Sequence, residues 1–174
     1  TPNSSTHPPS PGAWPRGAPI LNNAGMAALV IVAHSPLATA LQAVGAHVVA
    51  DCANRLAAVD VPPDWPAERV EQAVREAMAA LGQAQVLILA DVFGATPCNG
   101  AQRVADGTQV RLVTGVNVPM LWRVLTTSER PLDVLVDRAL AGGTQGVMPA
   151  SAPKPQDQSL NPATHDSSNR HHQQ

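Results

Sequence analysis

The chain has 174 residues, 14% of them charged, and a formal net charge of −2, which fits one domain with ragged ends better than two. That balance excludes the basic footprint of a nucleic-acid or anionic-membrane binder. The longest apolar runs, residues 27–33 and 86–90, fall far short of the roughly 20 residues a spanning helix requires, and residues 1–25 lack the basic, apolar and small-residue order of a secretory signal. A cytoplasmic protein is expected, touching a membrane only indirectly. Residues 1–25 carry six prolines among Ser, Asn and Gly and no burial periodicity, so a disordered extension is expected. Met26 directly precedes the first apolar run and is a candidate alternative start.

The core spans residues 26–149. Ala27-Ala28-Leu29-Val30-Ile31-Val32-Ala33 is continuous and apolar, which predicts a strand buried on both faces of a parallel sheet. Ser35 reads as an N-cap and Pro36 as the first helical position, with Leu37, Leu41, Val44 and Val48 as the apolar stripe of the helix that follows. Residues 56–61 predict a second strand. After Pro62-Pro63-Asp64, Pro66 opens a helix whose Val70, Ala73, Val74, Ala77, Met78 and Leu81 share a face. Residues 85–90 predict a third strand, 97–105 a short helix with Thr96 as N-cap, and 109–114 a fourth strand. Asn117 caps a helix over 118–126, Pro131 starts another through residue 140, and Gly146-Val147-Met148 reads as a short last strand. The repeated βα order predicts an α/β fold: an open, mostly parallel sheet of order 2-1-3-4 plus that last strand, with helices on both faces. Residues 150–174, rich in Ser, Pro, Gln, Asn and His, read as a disordered tail, and the histidines at 165, 171 and 172 read as solvated rather than as a metal site.

Open parallel sheets bind ligands beyond the carboxyl ends of their strands, where strand order reverses. For the order 2-1-3-4 that point lies between the first and third strands, and the turns there hold His34 and Asp91. These are the two groups a nucleophilic imidazole needs: a carboxylate that accepts the Nδ1 proton and a ring left with its Nε2 lone pair outward. The loop Val92-Phe93-Gly94-Ala95-Thr96-Pro97-Cys98-Asn99 is small-residued and leads into a helix, an arrangement that suits an anion. It is not a P-loop, because the chain's one lysine, Lys154, lies in the tail. A GxGxxG fingerprint is absent as well, and neither a cofactor nor a metal is expected. His47 sits within a helical pattern and reads as structural. Cys52 and Cys98 are isolated and read as reduced thiols.

Three stretches together resemble the mannose and fructose type of enzyme IIA domain of the bacterial phosphoenolpyruvate-dependent sugar phosphotransferase system: Leu29-Val30-Ile31-Val32-Ala33-His34-Ser35, the loop from Asp91 to Asn99, and Gly115-Val116-Asn117-Val118-Pro119-Met120-Leu121. The resemblance implies that His34 carries a phosphoryl group, that Asp91 is its hydrogen-bonding partner, and that Ser35, Phe93, Gly94, Ala95, Thr96 and Asn117 surround the phosphoryl. It implies a phosphotransferase with a phosphohistidine intermediate, an HPr-like phosphocarrier as donor, an enzyme IIB histidine as acceptor, and a homodimer with a fifth strand exchanged between subunits. Ala95 and Cys98 depart from the family's usual pattern and leave the acceptor open. The competing expectations are a regulatory enzyme IIA without a dedicated permease, a phosphoryl-relay subunit for a dihydroxyacetone kinase, and a non-catalytic anion-binding module.

Overall fold

The computed structural model describes residues 26–49, 52 and 54–150, so the extension over 1–25 and the tail beyond residue 150 lie outside the described residues. The elements follow in the order β1 (Ala28–His34), α1 (Leu37–Val48), β2 (Leu56–Val61), α2 (Ala67–Leu81), β3 (Val86–Ala90), α3 (Thr96–Gln102), β4 (Val110–Thr114), α4 (Val118–Leu125) and α5 (Leu132–Gln145). The sheet has the order β2-β1-β3-β4, and every adjacent pair is parallel, with Leu29 opposite Leu56 and Leu87, and Leu89 opposite Val113.

The continuous apolar runs become the two central strands because their residues alternate between two cores. On one face Leu29, Ile31, Ala33, Leu87 and Leu89 pack with Leu41 of α1, Leu121 and Val124 of α4, and Leu135 and Ala139 of α5. On the other, Val30, Val32, Val86 and Ile88 pack with Val70 and Val74 of α2 and Ala101 of α3. Each large aliphatic side chain buried this way is worth about 2 kcal/mol of removal from water.

Four expectations change. The segment 146–148 forms no strand: the sheet has four strands, and Val147 and Met148 stand 80% and 72% exposed beyond α5. Helix α5 continues five residues past the expected end at Leu140 because Gly142 and Gly143 stay helical. A Cβ on Gly142 would lie 2.9 Å from both the Arg123 Cβ and the Pro119 carbonyl oxygen, so this glycine permits close approach of α4 rather than ending the helix. The buried stripe of α1 is Ala38, Leu41 and Gly45, while Leu37 and Val44 are exposed. At Gly45 a Cβ would come within 3.0 Å of Leu125 and 3.1 Å of Leu56, so the small residue, not the larger valine beside it, faces the neighbouring helix. Finally, the caps of α1 and α3 differ. Pro36 and Ala95 occupy the N-cap positions without any side-chain bond, and Thr96 is the first helical residue of α3. Asn117 does cap α4, its Oδ1 accepting the Met120 N–H at 2.9 Å.

Candidate functional site

The carboxyl ends of β1 and β3 lie side by side at the centre of the sheet, and the last residue of β1 is His34 while Asp91 directly follows β3. The Asp91 carboxylate reaches across the gap. Its Oδ2 accepts both the His34 backbone N–H at 2.9 Å and the ring nitrogen Nδ1 at 2.6 Å, and its Oδ1 accepts the Val92 N–H at 2.7 Å. Because a carboxylate only accepts, Nδ1 carries the proton and Nε2 keeps its lone pair. The Asp91 side chain is only 7% exposed while the His34 ring is 53% exposed, so the acid is held inside and the ring presents itself to solvent. Burial pushes the Asp91 carboxyl up, but the bonds from the His34 N–H, the His34 ring and the Val92 N–H outweigh it and hold the carboxyl below its ordinary value.

The main chain around Asp91 is held equally well. The Asp91 carbonyl accepts the Gly115 N–H at 2.8 Å and the Ala90 carbonyl accepts the Val116 N–H at 2.9 Å. Gly115 makes that return with φ +83°, as Gly94 does in the loop after β3, a conformation that disfavours any side chain. The Gly94 carbonyl is in turn bonded by Asn99 Nδ2 at 3.0 Å.

Of the other sequence-predicted residues, Ser35 follows His34 and donates its N–H to the Val61 carbonyl at 3.0 Å. Phe93 is 74% exposed on the loop, and Ala95 and Thr96 are partly buried at the start of α3. Asn117 lies at the end of the neighbouring β4 with its carboxamide committed to the Met120 N–H and to the Gly115 and Gly143 carbonyls. His47 is far along α1, its Nδ1 2.7 Å from the Ala43 carbonyl. Cys52 and Cys98 are free and buried. Among the described residues no three His, Cys, Asp or Glu side chains are grouped to hold a metal ion, and no helix is long and apolar enough to cross a membrane.

Sequence reasoning missed Asp60. It sits near the end of β2 opposite Ala33, and its carboxylate supplies the cap that Ser35 does not: Oδ1 accepts the N–H groups of Ala38 at 2.9 Å and Thr39 at 3.2 Å, and Oδ2 accepts the Thr39 hydroxyl at 2.7 Å. The available signal was an acidic residue interrupting an otherwise apolar strand, Leu56-Ala57-Ala58-Val59-Asp60-Val61.

Residues 28–138 match the model of the family described as the PTS system fructose IIA component, EIIA-man. No curated protein sequence matches the chain. Among solved structures the fold is similar to the mannose/sorbose-specific IIA subunit of the phosphotransferase system from Enterococcus faecalis, with a TM-score of 0.67 and 22% identity over 74% of this chain and 98% of that one. It is also similar to the phosphotransferase system component EIIA from Streptococcus agalactiae, with a TM-score of 0.64 and 18% identity over 71% and 97%. A third, the PTS IIA protein associated with the fucose utilization operon from Streptococcus pneumoniae, gives a TM-score of 0.63 and 18% identity over 72% and 95%. At these identities the likeness to the solved structures is one of fold.

Proposed function

We propose that this chain, which belongs to the family of fructose-type IIA components of the phosphotransferase system, accepts a phosphoryl group on His34 from an HPr-like phosphocarrier in the cytoplasm and passes it to an enzyme IIB histidine. The observation that carries the reading is the 2.6 Å contact between His34 Nδ1 and Asp91 Oδ2 beneath a half-exposed ring. With Nδ1 committed to Asp91, Nε2 is the ring nitrogen left to act as the nucleophile.

The Nε2 lone pair attacks the phosphorus of the donor phosphohistidine in line. The new N–P bond forms as the donor's breaks, and its electron pair returns to the donor ring nitrogen. The Nδ1 proton stays in place, and the Asp91 charge stabilises the positive charge gathering on the ring. Imidazole is both nucleophile and leaving group, so the reverse geometry serves onward transfer. The loop after Asp91, with Gly94 and the first residues of α3, offers small residues and backbone N–H groups beside the incoming oxygens. Open exposure of the ring suits delivery from another protein's histidine, and exposed Leu37, Val92, Phe93 and Val118 on the neighbouring turns give such a partner apolar surface to meet.

Homodimerisation belongs to the same proposal. The outer edge of β4 has no partner strand among the described residues, and Leu140 of α5, which packs against β4, and Val147 and Met148 beyond α5 stand exposed, apolar surface that a second subunit would cover. Light scattering is expected to give twice the chain mass at micromolar concentration; a monomer mass rejects the dimer.

The direct test is incubation with phosphoenolpyruvate, the general phosphotransferase enzyme and HPr. Acid-labile, base-stable label on His34 is expected, and a chain that takes none is not a carrier.

A further inference from the structure

Family resemblance puts Asn117 beside the phosphoryl group, yet each polar atom of its carboxamide is already engaged within the chain. Oδ1 accepts the Met120 N–H at 2.9 Å, while Nδ2 donates to the Gly115 carbonyl at 3.3 Å and to the Gly143 carbonyl at 3.4 Å. The first of these bonds caps α4. The other two have no capping role: they tie the turn after β4 to the buried Gly143 of α5. A Cβ on Gly143 would lie 3.5 Å from Nδ2 and 2.8 Å from the Met120 methyl, so the close seating of the carboxamide on α5 depends on this glycine.

The turn so tied is the one that holds Asp91. The Gly115 N–H bonds the Asp91 carbonyl at 2.8 Å and the Val116 N–H bonds the Ala90 carbonyl at 2.9 Å, so the peptides on both sides of the Asp91 Cα hang on two consecutive amides. The Gly115 carbonyl and the Val116 N–H belong to one planar peptide. Asn117 bonds one edge of that plane and Ala90 the other. Gly115, at φ +83°, leaves the turn conformationally permissive, and the carboxamide supplies the restraint that glycine does not. We infer that Asn117 is a positioning residue, which through the Gly115–Val116 peptide holds the main chain of Asp91, and with it the bond from Asp91 to His34, without touching the phosphoryl group. Asp91 Oδ2 lies 2.6 Å from His34 Nδ1, and a displacement of about 1 Å in a reacting constellation costs roughly a hundredfold in rate.

This inference rests on the reading of His34 as the phosphoryl acceptor, and two readouts separate them. Asn117→Asp keeps an oxygen for the Met120 N–H and is as good a cap as Asn, but it cannot donate to either carbonyl. Asn117→Ser also keeps a capping oxygen and covers the case in which Asn117→Asp does not fold. Val124→Ala, which opens a cavity in the core beneath α4, lowers stability without altering the turn and serves as the control. The first readout is the NMR resonance of the His34 Nδ1 proton. Wild type and Val124→Ala are expected to share one position, and the folded Asn117 variant to move toward the position in Asp91→Ala, where the bond is gone. The second is the maximal rate of His34 labelling by N-protonated phosphoramidate, whose N–P bond breaks as phosphorus bonds Nε2 and whose nitrogen leaves with the electron pair as ammonia. That rate is expected to fall at least about tenfold in the Asn117 variant and to hold in Val124→Ala. A folded Asn117 variant with the wild-type rate overturns the inference whatever its melting temperature, since a cap alone leaves transfer unchanged. A slower rate with an unmoved resonance overturns it as well, because Asn117 then acts on the phosphoryl group itself. If the wild type takes no label, the carrier reading of His34 fails, and the resonance by itself decides whether Asn117 positions the pair.

Discussion

His34 and His47 are both histidines whose Nδ1 is tied down at nearly the same distance, 2.6 Å to Asp91 Oδ2 in one case and 2.7 Å to the Ala43 carbonyl in the other. Both therefore carry the proton on Nδ1 and present Nε2. The difference lies in what holds the proton. A carbonyl four residues back in the same helix fixes a tautomer and nothing more, whereas the carboxylate just past the neighbouring strand also supplies a full negative charge, which in the proposed transfer would stabilise the ring as it gains positive charge. His34 further has its own main chain bonded to that carboxylate and stands at the sheet's switch point, while His47 sits in the last turn of α1. A defined tautomer is common; the buried counter-charge is what sets His34 apart and what the proposed transfer requires.

The largest expected effect is the complete loss of phosphoryl labelling in His34→Ala, set against normal labelling in His47→Ala. Both variants keep their folded circular dichroism, since neither ring is part of a core. Phosphate mapped to His47, or surviving in His34→Ala, breaks the comparison outright. Next comes Asp91→Asn. It keeps a hydrogen-bonding group of the same shape but lowers the charge to that of the His47 environment, so transfer is expected to slow by roughly a hundredfold, about 3 kcal/mol in the barrier. Rapid-quench single-turnover rates measure this, and a rate within a few-fold of wild type would show that tautomer control alone suffices.

A smaller effect lies in stability against pH. The folded Asp91 carboxyl is held below its ordinary value, so its ionised form is bound more tightly by the folded chain than by the unfolded one. That contribution is fully present above the unfolded value of about 3.9 and is lost as pH falls through the lower folded value. Urea unfolding at a series of pH values is expected to show the wild-type advantage over Asp91→Asn shrinking below about pH 4. An advantage that grows on acidification reverses the sign and removes the basis for a charged Asp91. The smallest effect is expected from deleting residues 1–25 and 151–174 together, which leaves His34 labelling unchanged because neither segment shows a burial pattern. Loss of labelling in the trimmed but folded chain would place part of the site in the ends.

Much of this is legible in the amino-acid sequence. The two continuous aliphatic runs announce central parallel strands, since only a strand covered on both faces can be apolar at every position. Once their order is fixed, His34 at the end of β1 and Asp91 just past the end of β3 must meet. Other features were misread for identifiable reasons. The helix from Pro131 reads as ending at residue 140, yet α5 runs on through Gly142 and Gly143, and the approach of α4 leaves no room for a Cβ at Gly142. Leu37 and Val44 look like core because they are large, yet Gly45 takes the buried place against Leu125 and Leu56.

By itself the amino-acid sequence determined what depends on neighbours along the chain: the four strands of the sheet, the existence of the five helices, the cap of α4 by Asn117, and the two residues at the ends of the central strands. The tertiary structure alone decided what depends on neighbours across the sheet. That Asp91 takes both the ring and the main chain of His34, that Asp60 rather than Ser35 caps α1, and that segment 146–148 finds no strand to pair with all follow from inter-strand placement. A hydrogen bond between groups 57 residues apart leaves no periodicity in the sequence, because its geometry exists only once the strands have been brought side by side.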